Sequence, residues 1–226
     1  MSYGKFSLGL AIVIGTFLAG CTSTRAVKNE PAAVGYKKFV QMDDGQGEVH
    51  KFSGLQCPAI LGDMKFDKSH IYNPNGTDVS CGWREGADRR YITVYATQSP
   101  DVEFTDYWKQ TLAVVNQVET PRGLSYDPDK TMACTLAGLI SVAAAANKGE
   151  AKSGKAFSLE TAVFTSDATT SVVTSHPAAG GWMIKVRSTR PQGAGHGDEK
   201  HFVEMCMEAS DITQIQSANI TAAGWE

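Results

Sequence analysis

His196, Asp198, Glu199 and His201 gather two imidazoles and two carboxylates within six residues, the one constellation in this chain fit to be tested for a metal. Imidazole nitrogen and carboxylate oxygen suit zinc or copper, provided the backbone folds back so that the ligands converge. His196 belongs to the glycine-rich stretch Gly193-Ala194-Gly195-His196-Gly197, and His201 to a helix expected from about Asp198. Spacing alone does not impose convergence, and a solvated loop leading into a helix is the competing reading. The same glycines miss the G-x-G-x-x-G spacing, and Asp198 with Glu199 stands where a helix N-terminus would otherwise attract an anion. Serine chemistry is poorly served: Gly123-Leu124-Ser125-Tyr126-Asp127 lacks the closing glycine of a nucleophile elbow, and no S-x-x-K follows residue 20. His50 and His176 could act as bases only in a dispersed triad, defined by geometry and not by order. Cys206 lies five residues after His201, about 140° away around a helix, so that pair would not meet. Asp43-Asp44 and Asp127-Pro128-Asp129 lack the remaining ligands of a calcium loop. No catalytic residue and no cofactor are expected. A metal-binding module and an unrecognised envelope hydrolase stand as alternatives.

A second kind of chemistry sits near the start of the chain. Lys5 precedes an apolar run from Phe6 to Phe17, which leads into Leu18-Ala19-Gly20-Cys21. A basic residue, an apolar segment and small residues at a cut are the layout of a secretory signal peptide. The apolar segment is shorter than the ~20 residues a spanning helix needs. Leu18-Ala19-Gly20-Cys21 resembles the lipobox of bacterial lipoproteins. That resemblance implies removal of residues 1–20 and lipidation of Cys21, so that the membrane is held through several acyl chains. By the same family's sorting rule in enteric bacteria, Thr22 in place of aspartate implies the outer membrane, with the protein facing the periplasm. Residues 22–34 lack apolar periodicity and include Pro31. Residues 21–35 are therefore expected as a flexible tether, followed by one globular domain over 36–226.

Export gives the other four cysteines a meaning. An even set in an oxidising compartment reads as disulfides, and three pairings are open. Cys57–Cys81 is favoured because both lie in short extended segments flanking a turn-rich stretch, which leaves Cys134–Cys206 to join two helices. The zinc alternative finds no C-x-x-C or H-E-x-x-H spacing. The full chain carries 21 basic against 24 acidic residues, with no block of like charge. Nucleic acid is excluded as a partner, because no basic stripe is present.

The elements that would position these groups follow from period and punctuation. Val49–Phe52 and Val79–Trp83 read as short strands, and Tyr91–Thr97 alternates cleanly, with Ile92, Val94 and Ala96 on one face. Ser99-Pro100-Asp101 signals a helix start, followed by Phe104, Trp108, Leu112, Val115 and Val118 at helical spacing. Asp127-Pro128 starts an alanine-rich helix to about Ala146, whose expected buried side is Cys134, Leu136, Ala137 and Ile140. Three strands come next, over 157–165, 171–176 and 182–188, with Lys185 and Arg187 expected to face water. A last helix is expected over 198–210, with Phe202, Met205, Cys206 and Ala209 inward. Strand runs with segregated helices indicate an α+β fold: an antiparallel sheet with helices packed on it, as an α/β/α-type sandwich in a single domain.

The order of strands, helix, three-stranded meander and closing helix resembles the PsbP-like fold from about Val49 to Ile215. That resemblance implies a non-catalytic accessory or binding protein. The expected function is an accessory role in the envelope, engaging a protein or cell-wall partner through the sheet face or its loops. Trp83 is expected in the core, and Trp225 could dock or meet a partner.

Overall fold

Alternation in the β-branched and aromatic runs builds most of a sheet whose two halves come from distant parts of the chain. The structure is a computed structural model. It describes residues 38–86, 90–147, 158–192 and 199–223, all within one compact unit, Pro31–Glu226. Strands β1 (Phe39–Gln41), β2 (Gly47–His50) and β3 (Leu55–Pro58) make a small antiparallel sheet. A first meander then runs through β4 (Ile60–Leu61), β5 (Met64–Ile71), β6 (Asp78–Glu85) and β7 (Arg90–Gln98). The chain crosses through α1 (Phe104–Glu119), β8 (Ser125–Tyr126) and α2 (Pro128–Asn147). It returns as β9 (Glu160–Thr165), β10 (Thr169–Pro177) and β11 (Trp182–Pro191), and closes with α3 (Glu199–Ala222). The main sheet has eight antiparallel strands in the order β4-β5-β6-β7-β11-β10-β9-β8, so β7 and β11 form the seam between the two meanders. The domain is α+β, an eight-stranded antiparallel sheet with three helices packed on it.

Register decides what each face holds, because successive side chains alternate across a strand. Ile92, Val94 and Ala96 of β7 stand opposite Ser188, Val186 and Ile184 of β11, and opposite Trp83, Cys81 and Val79 of β6. All nine are fully buried, and α3 closes this face with Met205, Cys206, Ala209 and Ile212. Trp83 is thus a core residue, and its Nε1–H donates to Pro58 O at 2.7 Å. The opposite face of β9 and β10 carries Ala162, Phe164 and Val173, which pack on Trp108 and Val115 of α1.

Four expectations need correction. Leu136 and Ile140 are 56% and 66% exposed, while Cys134, Ala137 and Ser141 are the residues of α2 turned inward. The helices meet through small side chains because they come very close: a Cβ on Gly138 would stand 2.4 Å from Ser210 Oγ. Lys185 and Arg187 do not point to open water; both are half-buried on the α1 side of the sheet. Helix α1 begins at Phe104, because Ser99–Val102 form a turn against the β10–β11 hairpin. There Gly181, at φ +72°, leaves no room for a Cβ, which would meet Pro100 Cα at 2.6 Å. Helix α3 runs past Ser210 to Ala222, because polar residues of its last turns are buried and paired. Gln216 donates from Nε2 to Gln56 O at 2.9 Å and accepts from Gln56 N–H at 3.2 Å, completing the free edge of β3.

Disulfides join Cys57 to Cys81 and Cys134 to Cys206, with Cα atoms 5.9 and 5.2 Å apart, inside the normal bridging range. The first ties β3 to β6, and the second ties α2 to α3. Replacing either pair with alanines should lower stability by about 2–5 kcal/mol in guanidinium unfolding. In the chain-entropy account the Cys134–Cys206 loss is larger by about 1 kcal/mol, because it closes 72 residues against 24. Equal or reversed losses would count against that account here.

Candidate functional site

The metal constellation is only partly within the described residues. His196 and Asp198 lie outside them. Glu199 and His201 stand on the first turn of α3, where both line a cavity between α2 and α3. Among the described residues no group of three or more His, Cys, Asp or Glu side chains is placed to hold a metal. Of the candidate bases, His50 is fully buried, with Nδ1 2.9 Å from Ser53 Oγ and accepting Ser53 N–H at 3.2 Å. His176 Nδ1 lies 3.3 Å from Ser217 Oγ, and burial holds its pKa below the usual histidine value. Both serines are buried, and neither pair lines the cavity between the helices or the shallow depression beside it. Trp225 lies outside the described residues.

A different set of residues assembles on the sheet. On the α1 side, helix packing centres on β8, β9 and β10, with Tyr107 reaching Thr97 of β7 and Glu119 reaching Arg187 of β11. The register places the remaining polar side chains of β5, β6, β7 and β11 together. Tyr95 stacks on Tyr72 with ring centroids 6.3 Å apart and planes at 24°, and His70 meets Tyr72 edge-on at 4.4 Å. Lys185, directly across from Tyr95, holds its ammonium 4.2 Å from the Tyr95 ring centroid. The Arg84 guanidinium sits 5.3 Å from the Tyr91 ring. Such cation–ring contacts contribute about 0.5–1 kcal/mol when exposed and more when desolvated. Gly82 is what lets the Tyr91 ring lie across β6, since a Cβ there would stand 2.4 Å from the Tyr91 hydroxyl.

Electrostatics follow from this packing. Burial lowers the Lys185 ammonium pKa and raises that of the Tyr95 phenol, so each resists the charged form more than in water. Lys65 and Lys68 fall on the same face, opposite Arg84 and Gly82 in register. Asp67 pairs with Arg84 at 3.4 Å, and Asp78 accepts from the Thr97 hydroxyl at 3.1 Å. Four cations therefore face two carboxylates, on a chain whose formal net charge is −3. Arg187, next along β11, is directed instead at Glu119 of α1. Glu119 is fully buried, with Arg122 Nη1 a further 4.0 Å away. That ion pair fixes α1 at the border of the aromatic face.

The alternation of Tyr91, Thr93, Tyr95 and Thr97 makes half of this surface readable in sequence. The other half comes from β5, whose Lys65, Asp67, Lys68 and His70 look like loop composition and conceal a strand. Nothing in the sequence announces that β11 lies beside β7, which is what brings Lys185 onto Tyr95. Among the described residues no helix is long and apolar enough to cross a membrane. Two disulfides are what an oxidising, extracytoplasmic compartment sustains. No protein-family model matches the chain, and searches of curated proteins and solved structures find no match either.

Removing one partner of a buried ion pair leaves the other charge without compensation. Arg187→Met should therefore destabilise the domain by about 3–5 kcal/mol, and adding Glu119→Gln should recover much of that loss. A double-mutant cycle read by chemical unfolding checks both statements, and additive losses would mean the pair is not coupled.

Proposed function

We propose that this chain is a lipid-anchored, non-catalytic binding protein of the bacterial envelope, and that its aromatic sheet face engages an anionic cell-wall polymer. The observation that carries the reading is the cluster of Tyr72, Tyr91 and Tyr95 among Lys65, Lys68, Arg84 and Lys185 on a face the helices leave to the solvent side. Tyr72 is 51% exposed although it stacks on a neighbour, an arrangement that keeps a rigid ring available for a ligand. Sugar rings offer C–H faces that pack on aromatic rings, and the carboxylates of wall polymers complement the cationic excess. Tyrosine and arginine are also the side chains that concentrate binding energy at interfaces. Chemistry is not required of this surface: it offers rings and cations, with no nucleophile held against a base.

The anchor belongs to the same proposal. Lipidation at Cys21, a tether over residues 21–35 and an outer-membrane location would let a folded head search the wall near its membrane. The support is Leu18-Ala19-Gly20-Cys21 behind an apolar run, together with disulfides that fit export. We also infer a PsbP-like α/β/α sandwich. Its support is the order of elements and the helices α1 and α3 packed against opposite sides of the sheet.

Two experiments test the reading separately. Cells fed an alkyne-bearing palmitate should label the wild-type protein and leave Cys21→Ser unlabelled; label on the variant would remove the anchor from the proposal. Purified protein should co-sediment with isolated wall sacculi. Tyr72→Ala and Tyr91→Ala should each weaken that binding by roughly ten- to thirtyfold, a loss of about 1.4–2 kcal/mol. Amidation of the sacculus carboxylates should weaken it as well. Wild-type and variant protein sedimenting alike would refute the wall-polymer reading. In-cell crosslinking from this face that captures a protein and no glycan would transfer the surface to a protein partner.

A further inference from the structure

The cavity between α2 and α3 is independent of the sheet face and lies on the other side of the sheet. The two helices run in the same direction: Cys134 bonds Cys206, Gly138 abuts Ser210, and Ser141 donates to Asp211. At Gly138 the missing side chain makes room for that of Ser210, whose Oγ would stand 2.4 Å from a Cβ there. Toward the N-terminal ends, beyond the disulfide, a cavity of about 400 Å³ opens between them. Its volume falls within the roughly 300–1,000 Å³ of small-molecule sites. Ala133 forms one wall, Phe202, Val203 and Met205 the other, and Thr170 of β10 and Arg190 of β11 line its sheet side. The disulfide thus ties the two helices together beside a slot that has an apolar wall, Ala133, Phe202, Val203 and Met205, and a polar margin.

Arg190 stands out among the polar residues of that lining, which include Asp129, Lys130, Glu199 and His201. Its Nη1 is buried from solvent and has no hydrogen-bond partner among the described residues. Buried polar groups in native structures nearly always have one, from protein, water or ligand. The other cations nearby are engaged: Arg90 by Glu208 and by Asp63 at 3.6 Å, and Lys130 by Asp127 at 3.7 Å. Asp129 and Glu199 also border the cavity, but both are exposed to water. An arriving carboxylate would satisfy the guanidinium through a charge-assisted hydrogen bond, the stronger kind. A neutral or cationic head group would leave it unsatisfied.

We propose that this cavity binds an amphipathic monocarboxylate, with its alkyl chain between α2 and α3 and its carboxylate on Arg190. The test is photolabelling of the full-length, oxidised protein with a diazirine-bearing decanoate, followed by peptide mapping. Label is expected on the segments containing Ala133 and Phe202–Met205, competed by decanoate and at least about tenfold less by decanol, since hydrogen bonds to charged groups contribute about 1.5–3 kcal/mol. Arg190→Gln should reduce the label to a similar extent. Ala133→Phe, an exposed helix position whose new ring fills the slot, should abolish it while Arg190 stays in place. The unfolding midpoint of each variant is read alongside. If Arg190→Gln fails to fold, Ala133→Phe and the decanoate–decanol comparison on the wild type still decide. Label scattered over the surface, equal competition by decanol, or undiminished labelling of folded Arg190→Gln would each overturn the proposal.

Discussion

The pairing of β11 with β7 is the constraint on which the rest of the molecule depends. Residues 182–189 pair with residues 91–98, so two meanders that are separately contiguous become one sheet only there. Both faces inherit the consequence. On one, Ile184 and Val186 complete the core against Ala96 and Val94. On the other, Lys185 comes to rest over Tyr95 and Arg187 is aimed at Glu119. A shift by one residue would send the cations into the core and the aliphatic side chains to the surface, so the register is strongly specified.

Hydrophobic burial and polar satisfaction divide the labour unevenly between the two sides. The α3 side is closed by apolar packing, two tryptophans included, with buried hydrogen bonds of Thr213 and Gln216 toward the end of the helix. The opposite side mixes threonines, tyrosines and cations, and its stability rests on rings covering charges. Among the described residues, a second apolar cluster forms where α1 lies over β9 and β10. The surface left over is polar without being featureless, a composition that suits reversible contact better than permanent burial.

Period-based reading recovers the elements that obey one rule at a time. Tyr91–Thr97, 171–176 and 182–188 read as strands and lie within the strands Arg90–Gln98, Thr169–Pro177 and Trp182–Pro191; the start signal at Asp127-Pro128 opens the helix Pro128–Asn147. It fails where a residue's surroundings outweigh its type. Leu136 and Ile140 are large apolar residues near the middle of α2, yet geometry gives the interior to Cys134, Ala137, Gly138 and Ser141, since only small groups fit so near α3. Thr213 and Gln216 look like the end of a helix but are interior, each answered by a buried partner. The aromatic face was half legible for a related reason: alternation within β7 is local, whereas its neighbour on β11 is almost a hundred residues distant.

The Gln216–Gln56 clamp changes how the domain would carry load. Force entering at residue 38 runs through β1 and β2 into β3, the last strand of the small sheet. It leaves β3 along the backbone into β4 and by two side branches, a covalent one through Cys57–Cys81 into β6 and a hydrogen-bonded one through Gln216 into α3. Helix α3 in turn is bonded to α2 through Cys134–Cys206. The small sheet therefore acts as a coupling plate: tension at the head of the domain is spread over β4, β6 and α3 instead of entering the main sheet at its edge strand alone.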